Sequence, residues 1–405
     1  MKKQDNRINT AISPLQESKI MRAKRNQSIE TICIHGKDLR RAVDNTGAVS
    51  FPIYQTAAYA HPAVGESTGY DYSRLQNPTR EETERIVADL EEGIDALAFS
   101  SGMAAITTCF ELFKPNDHLI VTDDLYGGTI RLLEHVSKKN ALEISYADTS
   151  QSDHIISNIK DNTVAIYIET PTNPMMKVTD IAKAAKIARE KGILLIVDNT
   201  FLTPYFQKPL LLGADIVVHS GTKYLCGHND TIAGFLVTNQ DVISEKLRFL
   251  IKTTGGGLSP FDSWLLLRGM KTLALRMEKH QQNAISIAHF LKEHKKVAQV
   301  YYIGLSEHPS YEIQNRQGSG YGGMLSFRVN SEKTAKQVLQ RVRLIQFAES
   351  LGGTESLITY PIYQTHADVV EEKRKEQGID ECLLRISVGI ENEMELIADL
   401  NQALG

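Results

Sequence analysis

The chain reads as an α/β protein: a large domain on a doubly wound, mostly parallel sheet, followed by a smaller α+β domain. Three observations predict this. Between residues 95 and 237, short aliphatic runs alternate with amphipathic segments, as in successive βαβ units. The runs are continuous in apolar residues, for example Ile193-Leu194-Leu195-Ile196-Val197, as expected of parallel strands covered on both faces. After Gly255-Gly256-Gly257 the pattern changes to one long helical stretch, residues 261–295, and then to a mixed region containing Gly322-Gly323-Met324-Leu325-Ser326-Phe327.

In chain order, the opening segment carries Lys19, Arg22, Lys24 and Arg25 and is weakly periodic. It reads as an arm, a frayed helix or a disordered tail. Strands are expected at residues 96–99, 118–121, 164–168, 193–197, 216–218 and 232–237. The segment Ile181–Lys191, with Ala182, Ala184, Ala185, Ile187 and Ala188, predicts a helical crossover. The divisions fall at 1–55 for an N-terminal arm, 56–260 for the large domain and 261–405 for the C-terminal domain.

Composition narrows the function classes. With 405 residues, 42% of them hydrophobic and 23% charged, the chain has ordinary globular usage and room for a large core. A net charge of −4, with Lys and Arg scattered, offers no footprint for nucleic acid. Cys33, Cys109, Cys226 and Cys382 lie far apart without metal-site spacing. They are expected to be buried small residues rather than disulfides or metal ligands, in a reduced, cytoplasmic setting. No signal core follows Met1-Lys2-Lys3 and no apolar run of about 18 residues occurs, so no membrane association is expected.

The chemistry gathers at the expected strand ends. Asp198 closes one aliphatic run, and His219-Ser220-Gly221-Thr222-Lys223 follows another. Ligands of such sheets bind at the carboxyl ends of the strands, which places an acid and a lysine in one crevice. A cofactor held as a Schiff base needs that pair, with small hydroxyls for a phosphate. Ser100-Ser101-Gly102-Met103-Ala104-Ala105 opens a helix after a strand. Its amides suit a phosphate, although a plain Ser cap explains the same residues. A nucleotide P-loop is disfavoured because Thr222 precedes Lys223 and Tyr224 follows it. Gly127-Gly128 lets the backbone turn and present Tyr126, either over a flat ligand or as a half-buried turn residue. Asn173, in Glu169-Thr170-Pro171-Thr172-Asn173-Pro174, is placed either to donate to a ligand oxygen or to cap a turn.

These segments, with Tyr72-Ser73-Arg74, Asn77-Pro78-Thr79, Glu349-Ser350-Leu351-Gly352-Gly353-Thr354 and Leu384-Arg385-Ile386-Ser387, resemble the transsulfuration enzymes of cysteine and methionine metabolism. The resemblance runs in order over residues 50–400. It implies the aspartate-aminotransferase-like fold (PLP fold type I), with a PLP-binding large domain and pyridoxal 5'-phosphate as cofactor. By that resemblance Lys223 binds the cofactor and shuttles protons, Asp198 bonds the pyridine nitrogen, and Asn173 bonds the ring hydroxyl. Ser220, Thr222 and the amides of Gly102 and Met103 hold the phosphate, and Tyr126 stacks on the ring. Tyr72 and Arg74 reach the phosphate of a neighbouring subunit, which implies a homo-oligomer, a tetramer of two catalytic dimers, acting on small amino-acid substrates. Arg385 clamps the substrate carboxylate with help from Ser350, while Asp71 and Glu349 are substrate-binding acids that resemble those of γ-acting members. This favours cystathionine γ-synthase. Cystathionine β-lyase, cystathionine γ-lyase and a non-catalytic scaffold on the same fold are the alternatives. Gln364, in Pro361-Ile362-Tyr363-Gln364-Thr365-His366, departs from the Met-Thr-His of many members and is expected near the substrate.

Overall fold

The computed structural model describes residues 27–39, 46–367 and 369–405. Much of the expected N-terminal arm therefore lies outside the described residues. The order of elements follows the expected βαβ alternation. β1 (Asp95–Phe99), β2 (His118–Thr122), β3 (Glu143–Ala147), β4 (Thr163–Glu169), β5 (Leu194–Asp198), β6 (Ile216–Ser220) and β7 (Gly234–Thr238) form a seven-stranded sheet in the order β1-β7-β6-β5-β4-β2-β3. β2 through β6 pair in parallel, while β7 runs antiparallel to both β6 and β1.

Alternate side chains of the strands enter different apolar clusters, which is why the strands read as continuous apolar runs. Ala165, Tyr167 and Ile196 pack with Ile106 and Leu247 on one side. Ile166, Ile168, Leu195 and Val197 pack with Ile181, Ala184, Ala185 and Ala188 of the crossover helix Ile181–Lys191. That helix has the bounds expected from its pattern. Asp180 caps it by accepting from the Lys183 amide, and Gly192 ends it in the left-handed conformation, devices worth about 1 kcal/mol at the N-cap.

One expectation needs correction, and one strand was not anticipated. The stretch at residues 261–295 is two helices, Pro260–Met270 and Leu273–Glu293. The break falls at Lys271-Thr272, where Thr272 leaves helical geometry with ψ 8° and bonds back to the Gly269 carbonyl. β3 had no expectation at all, because Glu143-Ile144-Ser145-Tyr146 at the sheet edge is half-exposed and carries no aliphatic run.

The second sheet comprises β8 (Val297–Tyr301), β9 (Met324–Val329), β10 (Gln346–Phe347), β11 (Leu357–Thr359) and β12 (Leu383–Ser387), in the order β10-β11-β12-β9-β8. It has its own apolar cluster, in which Leu325, Phe327, Leu384 and Ile386 meet Ile287, Leu291, Leu396 and Leu400. All four cysteines are free, and burial pushes the Cys33 thiol up to about 11 and those of Cys109 and Cys226 to about 12. No helix among the described residues is long and apolar enough to cross a membrane. No group of three or more His, Cys, Asp or Glu among them is arranged to hold a metal ion.

Candidate active site

Parallel strands put all their carboxyl ends on one edge, and the order of this sheet makes the ends of β6, β5 and β4 adjacent. Ser220, Asp198 and Glu169 are the last residues of those three strands. β1 is antiparallel to β7, which is antiparallel to β6, so the end of β1 opens on the same edge. There Ser101 caps the helix Gly102–Phe110 through its Oγ, which accepts from the Ala104 amide at 3.0 Å. A Cβ on Gly102 would stand 3.1 Å from that of Ser220. The helix N-terminus and the Ser220 hydroxyl thus form one concave donor set only because residue 102 is glycine.

Asp198 is tied in place by Thr200, whose role the sequence did not reveal. The Thr200 hydroxyl donates to Asp198 Oδ1 at 2.6 Å and accepts from the Ser220 amide at 2.9 Å, while its own amide donates to Oδ1 at 3.0 Å. Tyr167 donates to Oδ2 at 3.3 Å. Burial raises the Asp198 pKa above the usual carboxylate range. Beside it in register, buried Glu169 is raised well above its ordinary value by burial and by the Asp198 charge. Glu169 accepts from the Tyr126 amide at 3.0 Å and so fixes the loop that carries that ring. Tyr126 is 43% exposed, with its ring packed over Gly128 and close to Met103.

Lys223 donates from Nζ to Ser350 Oγ at 2.9 Å. Desolvation and the nearby Arg385 guanidinium push the amine down to about 8, against an upward pull from the Glu349 carboxylate. Ser350 has φ 103°, a region that disfavours any side chain, and strain of this kind persists only where the surroundings enforce it. Gly352 follows at φ 77°, where a Cβ would come within 2.6 Å of the Tyr224 amide. The loop is pressed against the backbone of the lysine loop.

Arg385, on β12, is 1% exposed. Its guanidinium donates to Asn173 Oδ1 at 2.8 Å, to the Ser350 carbonyl at 3.1 Å and to Thr359 Oγ1 at 3.0 Å, and its Nε has no partner. Among the described residues no carboxylate is hydrogen-bonded to it, and burial lowers its pKa to about 10. Its hydrogen bonds all go to neutral groups, while the Glu169 and Glu349 carboxylates act on it through space. A buried cation so held is suited to pairing with an anion. His366, fully buried, bonds Thr365 through Nδ1 and leaves Nε2 without a partner. Burial and Arg385 push it down to about 4.

These contacts gather Asp198, Ser220, Gly102, Met103 and Tyr126 in one group and Lys223, Ser350, Arg385 and Asn173 in another. The Lys223 amide joins the two by donating to the Ser220 carbonyl at 3.2 Å; Glu349 is exposed. Four of the expected site residues make their contacts elsewhere. Asp71 accepts from Ser67 at 2.8 Å and lies 3.5 Å from His61. Tyr72 is 45% exposed, and the Arg74 guanidinium sits 5.5 Å from its ring and donates to the Lys252 carbonyl at 2.6 Å. Thr222 uses its hydroxyl on both backbone groups of Ala233. Gln364 is spent on local structure, its Oε1 accepting from the Tyr360 amide at 2.7 Å, while His366 takes the inward position.

Comparison with known proteins places this arrangement. A match to the family described as "Cys/Met metabolism PLP-dependent enzyme" spans residues 30–405. The chain belongs to that family. It is 51% identical over 375 residues to a cystathionine γ-lyase of Bacillus subtilis, covering 93% of this chain and 98% of the relative. It is 51% identical over 364 residues to the cystathionine γ-synthase/O-acetylhomoserine (thiol)-lyase of the same organism, covering 90% and 93%. A cystathionine β-lyase of Lactococcus lactis is 47% identical over 377 residues, covering 93% and 99%. The structure of a cystathionine γ-lyase from Lactobacillus plantarum complexed with L-serine superposes with a TM-score of 0.90 at 43% identity, covering 93% of this chain and 98% of that one. This family member is therefore a pyridoxal phosphate-dependent enzyme of the α/β type. Its donor set is chemically suited to that cofactor: a glycine-lined amide and hydroxyl cup, a buried carboxylate and a lysine amine of lowered pKa.

Proposed function

We propose that the chain catalyses replacement at Cγ of an O-acylhomoserine by the thiol of cysteine, the cystathionine γ-synthase reaction. The observation that carries an amino-acid substrate is Arg385, a buried guanidinium with no carboxylate bonded to it, close to a lysine amine of lowered pKa. Pyridoxal phosphate, when bound, supplies a conjugated ring that withdraws electrons from the substrate's Cα. In this reading Ser220 and the amides of Gly102 and Met103 hold its phosphate, and Thr222 joins them by turning its hydroxyl away from Ala233. Asp198 pairs with the ring nitrogen, where a cation opposite offsets the burial that raises its pKa. Asn173 donates to the ring hydroxyl, its Oδ1 already being engaged by Arg385.

Arg385 and Ser350 orient the substrate by its α-carboxylate. Lys223 then takes the Cα proton as a neutral amine, a form that its lowered pKa makes available near neutrality. Ser350, by accepting from Nζ, aims the amine. Chemistry at Cγ requires a second proton to leave Cβ before the acyl group departs, and the same amine is in place for it once it has passed on the first. The exposed Glu349 acts electrostatically on both Lys223 and Arg385. An acid there attracts the amino group of an incoming cysteine, which supports replacement over elimination. Tyr72 and Arg74 complete the phosphate site of a second copy, and their exposure leaves them free to do so.

Elimination is the second reading, because relatives named β-lyase and γ-lyase are about as similar as the γ-synthase. Paired incubations decide between them: O-acetyl- or O-succinylhomoserine with cysteine, and cystathionine alone. Cystathionine formation in the first is the expected outcome. Pyruvate and homocysteine from the second, without the first, would establish β-elimination instead, and 2-oxobutyrate with cysteine would establish γ-elimination.

A further inference from the structure

The segments that carry Asp198 and Ser220 are both fastened to one carboxylate that lies outside the site. Glu91 ends the helix Pro78–Glu91 and is fully buried. Its Oε1 lies 2.6 Å from His219 Nε2 and accepts from Asn199 Nδ2 at 2.8 Å. His219 immediately precedes Ser220, and Asn199 immediately follows Asp198. Facing a carboxylate, His219 donates from Nε2. Asn199 also donates to the Gln207 carbonyl at 2.9 Å and accepts from Gln207 Nε2 at 3.0 Å, while its amide donates to the Val218 carbonyl at 3.0 Å. The turn so closed includes Thr203 at φ 58°.

A carboxylate is poorly placed at this position for stability alone. The last turn of a helix carries the negative end of its dipole. Burial is complete, and Glu91 Oε2 and His219 Nδ1 both lack partners. The neighbouring acid Glu92 is offset by Lys37 and Lys208; Glu91 has only the imidazole and the amide.

We propose that Glu91 is a positioning residue, which holds His219 and Asn199 together and so sets the register at which Asp198, Thr200 and Ser220 face the same ligand. The inference rests on the reading that Asp198 and Ser220 hold the cofactor. Glu91 touches neither cofactor nor substrate. Arg385 and Ser350, on the other sheet side, make no bond to this network. Its loss is therefore expected in cofactor affinity and not in substrate binding.

The test compares the wild-type enzyme with Glu91→Gln, His219→Gln and the double variant. Each is measured for pyridoxal phosphate affinity by titration of visible absorbance, for KM at saturating cofactor, and for cooperative thermal unfolding without cofactor. Glu91→Gln is expected to bind the cofactor about tenfold more weakly, the scale of supporting-residue losses at other sites. KM should stay within about twofold and unfolding should stay cooperative. The double variant should be little worse than either single one, because the two side chains act as one unit. Unchanged affinity and spectrum would overturn the proposal, as would a fall in affinity accompanied by an equal rise in KM. If Glu91→Gln does not fold, His219→Gln decides by the same readouts. Asp198→Ala is the control: wild-type affinity and spectrum in that variant would sink the reading of the cofactor site itself.

Discussion

The seven-stranded sheet delivers acids to the site, whereas the five-stranded sheet delivers a cation. Asp198 and Glu169 stand side by side at adjacent strand ends, and Arg385 enters from β12. Burial drives each group toward neutrality: the two acids are raised, and Arg385 is lowered to about 10. Lys223, by burial and under the influence of Arg385, is lowered to about 8. The difference is instructive because Lys223, at about 8, has both of its forms populated near neutral pH. A cation opposite Asp198 or an anion opposite Arg385 would offset that burial, whereas the amine is suited to moving a proton.

Replacing Lys223 tests that division most severely. Lys223→Ala is expected to lower turnover at least about 10³-fold, with the cofactor retained only non-covalently. Wild-type protein should be yellow and should lose its visible absorbance on borohydride reduction, and full turnover in the variant would remove Lys223 from its role. Next in size is the cation of the small sheet. Arg385→Lys keeps the charge but loses the planar fork, and should raise KM by about 10²-fold, or roughly 3 kcal/mol, with a smaller effect on kcat. An unchanged KM would place the substrate carboxylate elsewhere.

On the acid side, Thr200→Val leaves Asp198 and the Ser220 amide each short of a partner. Cofactor affinity should fall by about tenfold, near the lower end of what an unsatisfied buried polar group costs, as read by equilibrium titration. The smallest effect concerns pH. A base is active when unprotonated, so a proton-transfer-limited rate should rise with pH through about 8 as Lys223 loses its proton. Glu349 raises that pKa, so Glu349→Gln should move the midpoint lower, by less than about one unit for an exposed carboxylate. A midpoint that moves upward, or stays, would show that Glu349 does not act on the amine. The pH profile of kcat for the two proteins reads this directly.

Much of the large-sheet half was legible in advance because its chemistry sits next to its structural signal. Asp198 and Ser220 each follow an aliphatic run, and Gly102 follows a Ser cap, so linear order already places them on one edge. The role of Thr200, two positions after Asp198, was not legible, since a hydroxyl that bridges the ends of β5 and β6 depends on their pairing. Glu91 carried no signal at all: a glutamate at a helix end looks like a solvated charge until the helix is packed. On the small-sheet side Arg385 was named through resemblance, yet its lack of a carboxylate partner appears only when its surroundings are assembled. Gln364 was expected near the substrate because it departs from a family pattern. Its side chain bonds the Tyr360 amide, and it is His366, two residues on, that is fully buried.

The sequence by itself determined the α/β layering, the large-sheet residues that cluster at strand ends, and the family with its cofactor. These depend on local periodicity and on motifs, which persist whatever the chain does elsewhere. Only the tertiary structure decided which charges are buried and against what: the strained Ser350 accepting from Lys223, Arg385 resting on neutral groups, and Glu91 joining His219 to Asn199. The reason is physical. A side chain's pKa and its pairing are properties of the groups packed around it, and in this protein those groups come from segments far apart in the chain.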